Sequence, residues 1–331
     1  MRIGVIGVGR MGLVHARTLS EHEAVDDVVL CDAQLDLAHR VGKDLDLPVA
    51  SDTDQLFSSV DAVVIAAATS AHAELIHTAA DRGIPAFCEK PISLDLKSTV
   101  AVMEHVDEAG ISFQMGFQRR FDEGYIAARD LVRNGTLGEL YVVRMAGHDP
   151  APPPEAYIAV SGGIFVDFSV HDFDALRFVT GQEVVEVYAD GSVLGFPVFK
   201  NYDDVDSAVA TLKLTSGALG ILSVTRHNPL GYDIRMELLG SGDNVAVGWD
   251  DRMPLRSVEP GEERPRETLY RNFQDRFAPA YRAEIAAFVD VALGIRESPC
   301  TARDALEAIR VAIACQRSRE EHRPVAVEEI A

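Results

Sequence analysis

"GGIFVDFSVHDFD", residues 162–174, carries Asp167, His171 and Asp174 through an otherwise largely apolar stretch that contains no lysine or arginine. Positions four and seven apart share a helix face, so the spacing predicts one polar stripe of these three side chains, with Phe165, Phe168, Leu176 and Val179 on other faces. A carboxylate beside an imidazole raises the ring's affinity for a proton and fixes which nitrogen carries it, the arrangement of a general base. The same residues also suit a solvated acidic face, or an Asp–His pair satisfied within the core. The elements around them must choose.

The strongest such elements lie at the start of the chain. "RIGVIGVGRMGLVHARTL" is a short β-branched run that breaks into glycines and resumes as a helical pattern. Gly7, Gly9 and Gly12 stand as G-x-G-x-x-G: the first permits the tight turn, the second lets backbone approach a pyrophosphate, and the third lets helix pack on strand. The turn residues Val8, Arg10 and Met11 join them as candidate cofactor contacts, because the helix N-terminus faces the phosphates. A second strand, "VVLC", ends at Asp32, twenty residues past Gly12, where a dinucleotide fold places the acid that holds the adenosine ribose. Asp32 favours NAD, since a 2′-phosphate would meet its charge and the following Ala33 and Gln34 offer no arginine.

Strand–helix alternation continues through "DAVVIAAATS", "AHAELIHTAADRG", "IPAFCEKPI", "DLKSTVAVMEHVDEAG" and "ISFQMGF", which predicts a doubly wound parallel sheet. Ala68, Thr69 and His72 fall in the turn after the third strand, at the carboxyl edge where ligands of such sheets bind. Glu89 and Lys90 reach the same edge after the next strand, and Lys90 is one of only five lysines, so each merits a look. A positive group there holds a substrate hydroxyl and stabilises the alkoxide that forms as hydride leaves. An exposed Lys–Glu pair worth almost nothing is the plainer alternative.

Three motifs therefore stand in order: the glycine turn, "EKP" at 89–91, and "GGIFVDFSVHDFD". Together they resemble the glucose-fructose oxidoreductase/inositol dehydrogenase/MocA superfamily. "GFQRRFDEGY" (116–125), "DPAPPP" (149–154) and "GYDIR" (231–235) are similar to its inositol 2-dehydrogenases. The resemblance implies an NAD-dependent oxidation of a ring hydroxyl, myo-inositol to 2-keto-myo-inositol. In it, His171 takes the hydroxyl proton, Asp167 orients the imidazole and Lys90 binds the same oxygen. It further implies ring-hydroxyl contacts from Arg120, His148, Asp172 and Tyr232, and a tetramer built sheet to sheet; Asp172 and Asp174 equally suit capping or solvating the helix, and Tyr281 suits a place on the cofactor side or a core tyrosine with a satisfied hydroxyl equally. "GHDP" and Gln118 depart from the inositol pattern, which bears on the identity of the polyol.

Competing readings are an NAD(P)-dependent pyranose dehydrogenase or reductase of the same superfamily, and a dinucleotide-binding sensor without turnover, which would be expected to lose Lys90 or the Asp–His pair. A metal set of His148, Asp167, His171 and Asp174 is not needed to explain these residues, and no metal is expected.

At 331 residues the chain exceeds one ordinary core, and the expected division is an NAD-binding Rossmann domain over 1–120 and an α+β domain over 121–331. Runs such as "EVVEVYADGSVL", "VDSAVATLKLT", "GALGILSV" and "YDIRMELLGSG", separated by turn signals, predict a large open and mainly antiparallel sheet in the second. One face of that sheet needs cover, so a homo-oligomer is expected. The formal charge of −21 argues against nucleic acid and anionic membrane as partners. Cys31, Cys88, Cys300 and Cys315 have no paired spacing, which fits a reducing compartment. The opening "MRIGVIGVG" shows no leader and no apolar run reaches about 18 residues, so a cytoplasmic protein is expected.

Overall fold

A computed structural model describes residues 1–261 and 268–330. The chain divides into two compact units, Met1–Phe121 with Pro279–Glu307, and Asp122–Ala278 with Ala308–Ala331. Division at residue 120 would assign 279–307 to the second domain, but that segment packs with the first: Ile285, Phe288 and Val289 are fully buried in its core. Residue 331, which closes the expected second domain, lies outside the described residues.

The first unit runs β1 (Arg2–Ile6), α1 (Arg10–Ser20), β2 (Asp27–Cys31), α2 (Leu35–Leu45), α3 (Thr53–Phe57), β3 (Ala62–Ile65), α4 (Thr69–Asp81), β4 (Ala86–Glu89), α5 (Leu96–Ala109) and β5 (Phe113–Gly116). Its five strands are all parallel, in the order β2-β1-β3-β4-β5. The strands read as continuous apolar runs because helices cover both faces of such a sheet, and all four residues of β3, Ala-Val-Val-Ile, are buried. Asp52 and Asp95 start α3 and α5 by accepting the backbone N–H groups of Gln55 and Ser98. Strand order reverses between β1 and β3, so the turns that follow these two strands flank the switch point of the sheet.

The second unit contains α6 (Glu123–Arg133), β6 (Leu140–His148), α7 (Glu155–Ile158), a π-helical turn at Phe165–Ser169, α8 (Val170–Thr180), β7 (Val184–Ser192), β8 (Ser207–Leu214), β9 (Leu219–Thr225), β10 (Asp233–Gly240) and β11 (Asn244–Val247). Helix α9 (Phe273–Ala292) kinks at Phe277 ahead of Pro279, where the unit boundary falls, and α10 (Ala302–Glu321) and β12 (Val325–Ala326) follow. The seven strands order as β11-β10-β6-β9-β8-β7-β12. All neighbours are antiparallel except β6 and β9, which run parallel. Strict alternation in β8 and β9 buries Ala208, Ala210, Leu212, Leu222 and Val224 and turns Val209, Leu219 and Ile221 outward.

Among the described residues no helix is long and apolar enough to cross a membrane, and no group of three or more His, Cys, Asp or Glu side chains gathers as a metal site. All four cysteines are buried free thiols.

Candidate active site

The glycine turn is built by steric necessity. Gly7 has φ +88°, and a Cβ on it would lie 2.5 Å from Ala67 Cα in the turn after β3. A Cβ on Gly12 would overlap the Gly7 carbonyl oxygen, so α1 sits on the turn only because both residues lack side chains. At Gly9 the case is reversed: a Cβ there meets nothing within 4 Å, and no side chain caps the N-terminus of α1. Gly9 and Arg10 are exposed, and the space over the turn is open to a phosphate.

Asp32 directly follows β2. Its Oδ2 accepts the Val8 N–H at 2.8 Å and its Oδ1 accepts the Gln34 N–H at 2.8 Å, which aims the carboxylate along the edge that holds the glycine turn. Each oxygen keeps acceptor capacity for a ribose hydroxyl. Asp32→Ala is expected to narrow the preference for NAD over NADP by at least about tenfold, on the scale of one charge-assisted hydrogen bond. Comparison of kcat/KM for the two cofactors checks this, and an unchanged ratio would move the role to another residue.

The next strand ends carry the remaining residues of this edge. Glu89 Oε1 lies 2.6 Å from Nε2 of fully buried His15, a side chain of α1, and so ties the glycine-turn helix to β4. Phe87 and Tyr281 meet the His15 ring edge-on at 5.3 and 6.2 Å, so Tyr281 is a packing partner of that tie. Lys90, partly buried, precedes Pro91 through a cis peptide bond. Ala68 is exposed and Thr69 partly so, where α4 begins.

Two residues expected to contact ligands enter the fold differently. His72 is buried, with Nδ1 2.8 Å from the Pro91 carbonyl and Nε2 3.0 Å from the Ala67 carbonyl. Each ring nitrogen faces a backbone carbonyl oxygen, so His72 lies between the β3 turn and the Lys90–Pro91 turn and ties to one of them through whichever nitrogen carries its proton. Arg120, with a side chain 7% exposed, donates Nη1 to the Pro299 carbonyl and pairs Nη2 with Asp304, both at 2.9 Å. It clamps the first unit internally through two of its five N–H donors, to partners that the local motif does not reveal.

In the second unit Gly162 and Gly163, at φ +81° and +88°, lead into the π turn that carries Asp167. The expected regular stripe is therefore altered: Asp167 sits in the π turn, His171 in α8, and Asp172 and Asp174 are buried. A π turn advances fewer degrees per residue than an α-helix, so 3.6-residue spacing does not carry through it. The Asp167 carboxylate is held from both sides: the Tyr157 hydroxyl donates to Oδ1 at 2.7 Å and Arg226 Nη2 to Oδ2 at 2.9 Å. Sequence reasoning singled out neither Tyr157 nor Arg226. The arginine lies 59 residues from Asp167 and no local pattern links them.

Parallel pairing of β6 and β9 aligns His148 with Thr225 at their common ends, and β10 begins with Asp233 opposite His148. The Thr225 hydroxyl donates to the His227 carbonyl at 3.0 Å, so at 2.9 Å it accepts from His148 Nδ1. That assigns the His148 proton to Nδ1 and leaves Nε2 as an acceptor. Burial holds the His148 imidazole below its ordinary pKa, against the pull of Asp233, so the neutral form prevails at pH 7. Tyr232 is buried, edge-on to Phe273 and Phe277 at 6.5 and 6.4 Å.

An open glycine turn at the switch point of a parallel sheet is how an α/β fold receives a dinucleotide, and the first unit is of that class. Residues 1–117 match the oxidoreductase family with an NAD-binding Rossmann fold, and residues 125–245 match the GFO/IDH/MocA C-terminal domain. The chain belongs to the GFO/IDH/MocA oxidoreductase family and is an NAD-dependent oxidoreductase. It is 37% identical to the myo-inositol 2-dehydrogenase of Thermotoga maritima, over 100% of this chain and 99% of that one. It is 32% identical to the scyllo-inositol 2-dehydrogenase (NAD(+)) of Bacillus subtilis, over 99% and 96%. A crystal structure of scyllo-inositol dehydrogenase from Lactobacillus casei with bound NAD(H) and scyllo-inositol superposes with a TM-score of 0.89 at 29% identity, covering 99% of each chain.

Proposed function

We propose that the protein oxidises one ring hydroxyl of a cyclic polyol to a ketone, with myo-inositol as substrate and 2-keto-myo-inositol as product. The observation that carries the substrate class is likeness along the whole of both chains to proteins named for inositol dehydrogenation. Bound NAD supplies the hydride acceptor, held by Gly7, Val8, Gly9, Arg10, Met11 and Gly12 at the pyrophosphate and by Asp32 at the ribose. Thr69 and Ala68 line the adjoining turn.

His171 takes the proton of the reacting hydroxyl. Asp167, locked between Tyr157 and Arg226, orients and charge-balances that imidazole. Lys90 holds the same oxygen and stabilises the negative charge that builds on it, with Glu89 beside it fixed by His15. His148 Nε2 and Tyr232 contribute contacts to the other hydroxyls, and a site lined with such groups rejects analogues that leave them unpaired. The second unit supplies these substrate contacts and the association surface. The outward face of β7–β9 carries Tyr188, Val209, Leu219 and Ile221, each more than 40% exposed, and a homotetramer closes over that face.

Initial-rate NADH formation with NAD or NADP over a panel of inositols and pyranoses tests the reading. NAD-dependent turnover of myo-inositol faster than of glucose is the expected result. Turnover of pyranoses alone would retain the oxidoreductase and overturn the polyol.

A further inference from the structure

Arg226 lies just past the end of β9, where its backbone N–H donates to the Asp206 carbonyl at 2.8 Å, and its side chain is 3% exposed. Its guanidinium spans two carboxylates from different elements. Nη2 meets Asp167 Oδ2 in the π turn at 2.9 Å, and Nη1 meets Asp149 Oδ2, one residue past β6, at 3.4 Å. Its Cζ lies 5.5 Å from the centre of the Phe168 ring. Asp204, whose Oδ1 accepts the Ile164 N–H at the entrance to the π turn, adds a third nearby negative charge. Burial disfavours the guanidinium charge, yet Asp167 and Asp149 outweigh it and push the Arg226 pKa up. Three carboxylates therefore converge on one buried cation that no local motif announces.

We infer that Arg226 is a positioning residue for the reaction: through its fork it fixes the Asp167 carboxylate in the orientation from which Asp167 acts on His171. The inference rests on the Asp167–His171 reading above. Tyr157 and Arg226 each take one oxygen, so the plane of the carboxylate is set before any substrate binds. Asp149 supplies the counter-charge that keeps the arginine from cancelling Asp167 outright. Lysine reproduces the charge but not the planar fork that bridges two carboxylates. Because the orientation matters while His171 takes the proton, its loss falls on kcat and leaves KM nearly unchanged.

The test is a double-mutant cycle on the full chain with NAD and the best substrate of the panel. Arg226→Met is expected to lower kcat by about 10- to 100-fold with KM within about threefold, and in an Asp167→Asn background the same change costs less than about threefold. An equal loss in both backgrounds would overturn the inference, because an arginine that acts through the Asp167 carboxylate loses its effect on kcat once that carboxylate is gone. If Arg226→Met does not fold, Arg226→Lys is read through the same cycle, with a smaller loss expected and the same criterion of non-additivity. A near-normal rate for His171→Ala would defeat the underlying base assignment while the cycle still reports on Arg226 and Asp167. No turnover by the unaltered protein overturns both.

Discussion

His171→Ala is expected to lower kcat by about 10²- to 10⁴-fold while NAD affinity stays within about twofold, the range for loss of a positioned general base. The proposed hydroxyl has an ordinary alcohol's reluctance to ionise, so hydride cannot leave its carbon until something takes the proton. His171 lies four residues on from Asp167, in α8, and Asp167 is a carboxylate already anchored by Tyr157 and Arg226. Removing the ring leaves that anchored carboxylate without the base it is proposed to serve. Activity above the uncatalysed rate is expected to persist, because the proposed Lys90 contact and the proposed cofactor contacts are untouched. The residues proposed to hold the dinucleotide all belong to the first unit, whereas His171 belongs to the second, which is why binding and turnover separate. Steady-state rates paired with calorimetric NAD titration check this. A kcat within about threefold of normal removes His171 from the mechanism, and a large loss of NAD affinity makes its role structural.

Gly12→Ala should be equally severe by another route. The added methyl overlaps the Gly7 carbonyl oxygen, and both are attached to backbone, so no side chain can swing aside to relieve it. Helix α1 must lift from the turn, and with it the amides proposed to face the pyrophosphate. We expect NAD affinity to fall by about 100-fold or more and stability by about 1–3 kcal/mol, the usual scale of overpacking. Gly9→Ala is the matched control. Its methyl meets no protein atom within 4 Å, so stability should hold within about 0.5 kcal/mol while NAD binding weakens, the methyl standing where a phosphate would approach. Urea unfolding and NAD titration on both variants decide the matter. Stability loss in Gly9→Ala, or none in Gly12→Ala, would refute this account of the turn.

The parts of the molecule that could be read in advance are those governed by neighbours in the chain. The glycine spacing, the acid at the end of the second strand and the strand–helix alternation through residue 116 follow from φ/ψ limits and hydrophobic periodicity, which act over a few residues. The alternation of the later strands was legible for the same reason. Which strands pair was not: the parallel β6–β9 contact sets His148 beside Thr225, and no turn signal specifies a pairing between strands so far apart in the chain.

The same distinction divides the candidate site. Residue types and spacing were enough to single out Gly7, Gly9, Gly12, Asp32, Lys90, Asp167 and His171, because tight turns and an acid beside a base are short-range chemistry. The roles of His72 and Arg120 depended on what lies across the fold. His72 sits between carbonyls at 67 and 91, and Arg120 binds residues 299 and 304, so two polar side chains expected at ligands also serve as ties within the first unit. Arg226 shows the converse, an arginine outside every motif made central by strand pairing. Local stereochemistry fixes which residues can do chemistry, but a buried charge takes its function from its partner, and partners are assigned by packing between distant segments.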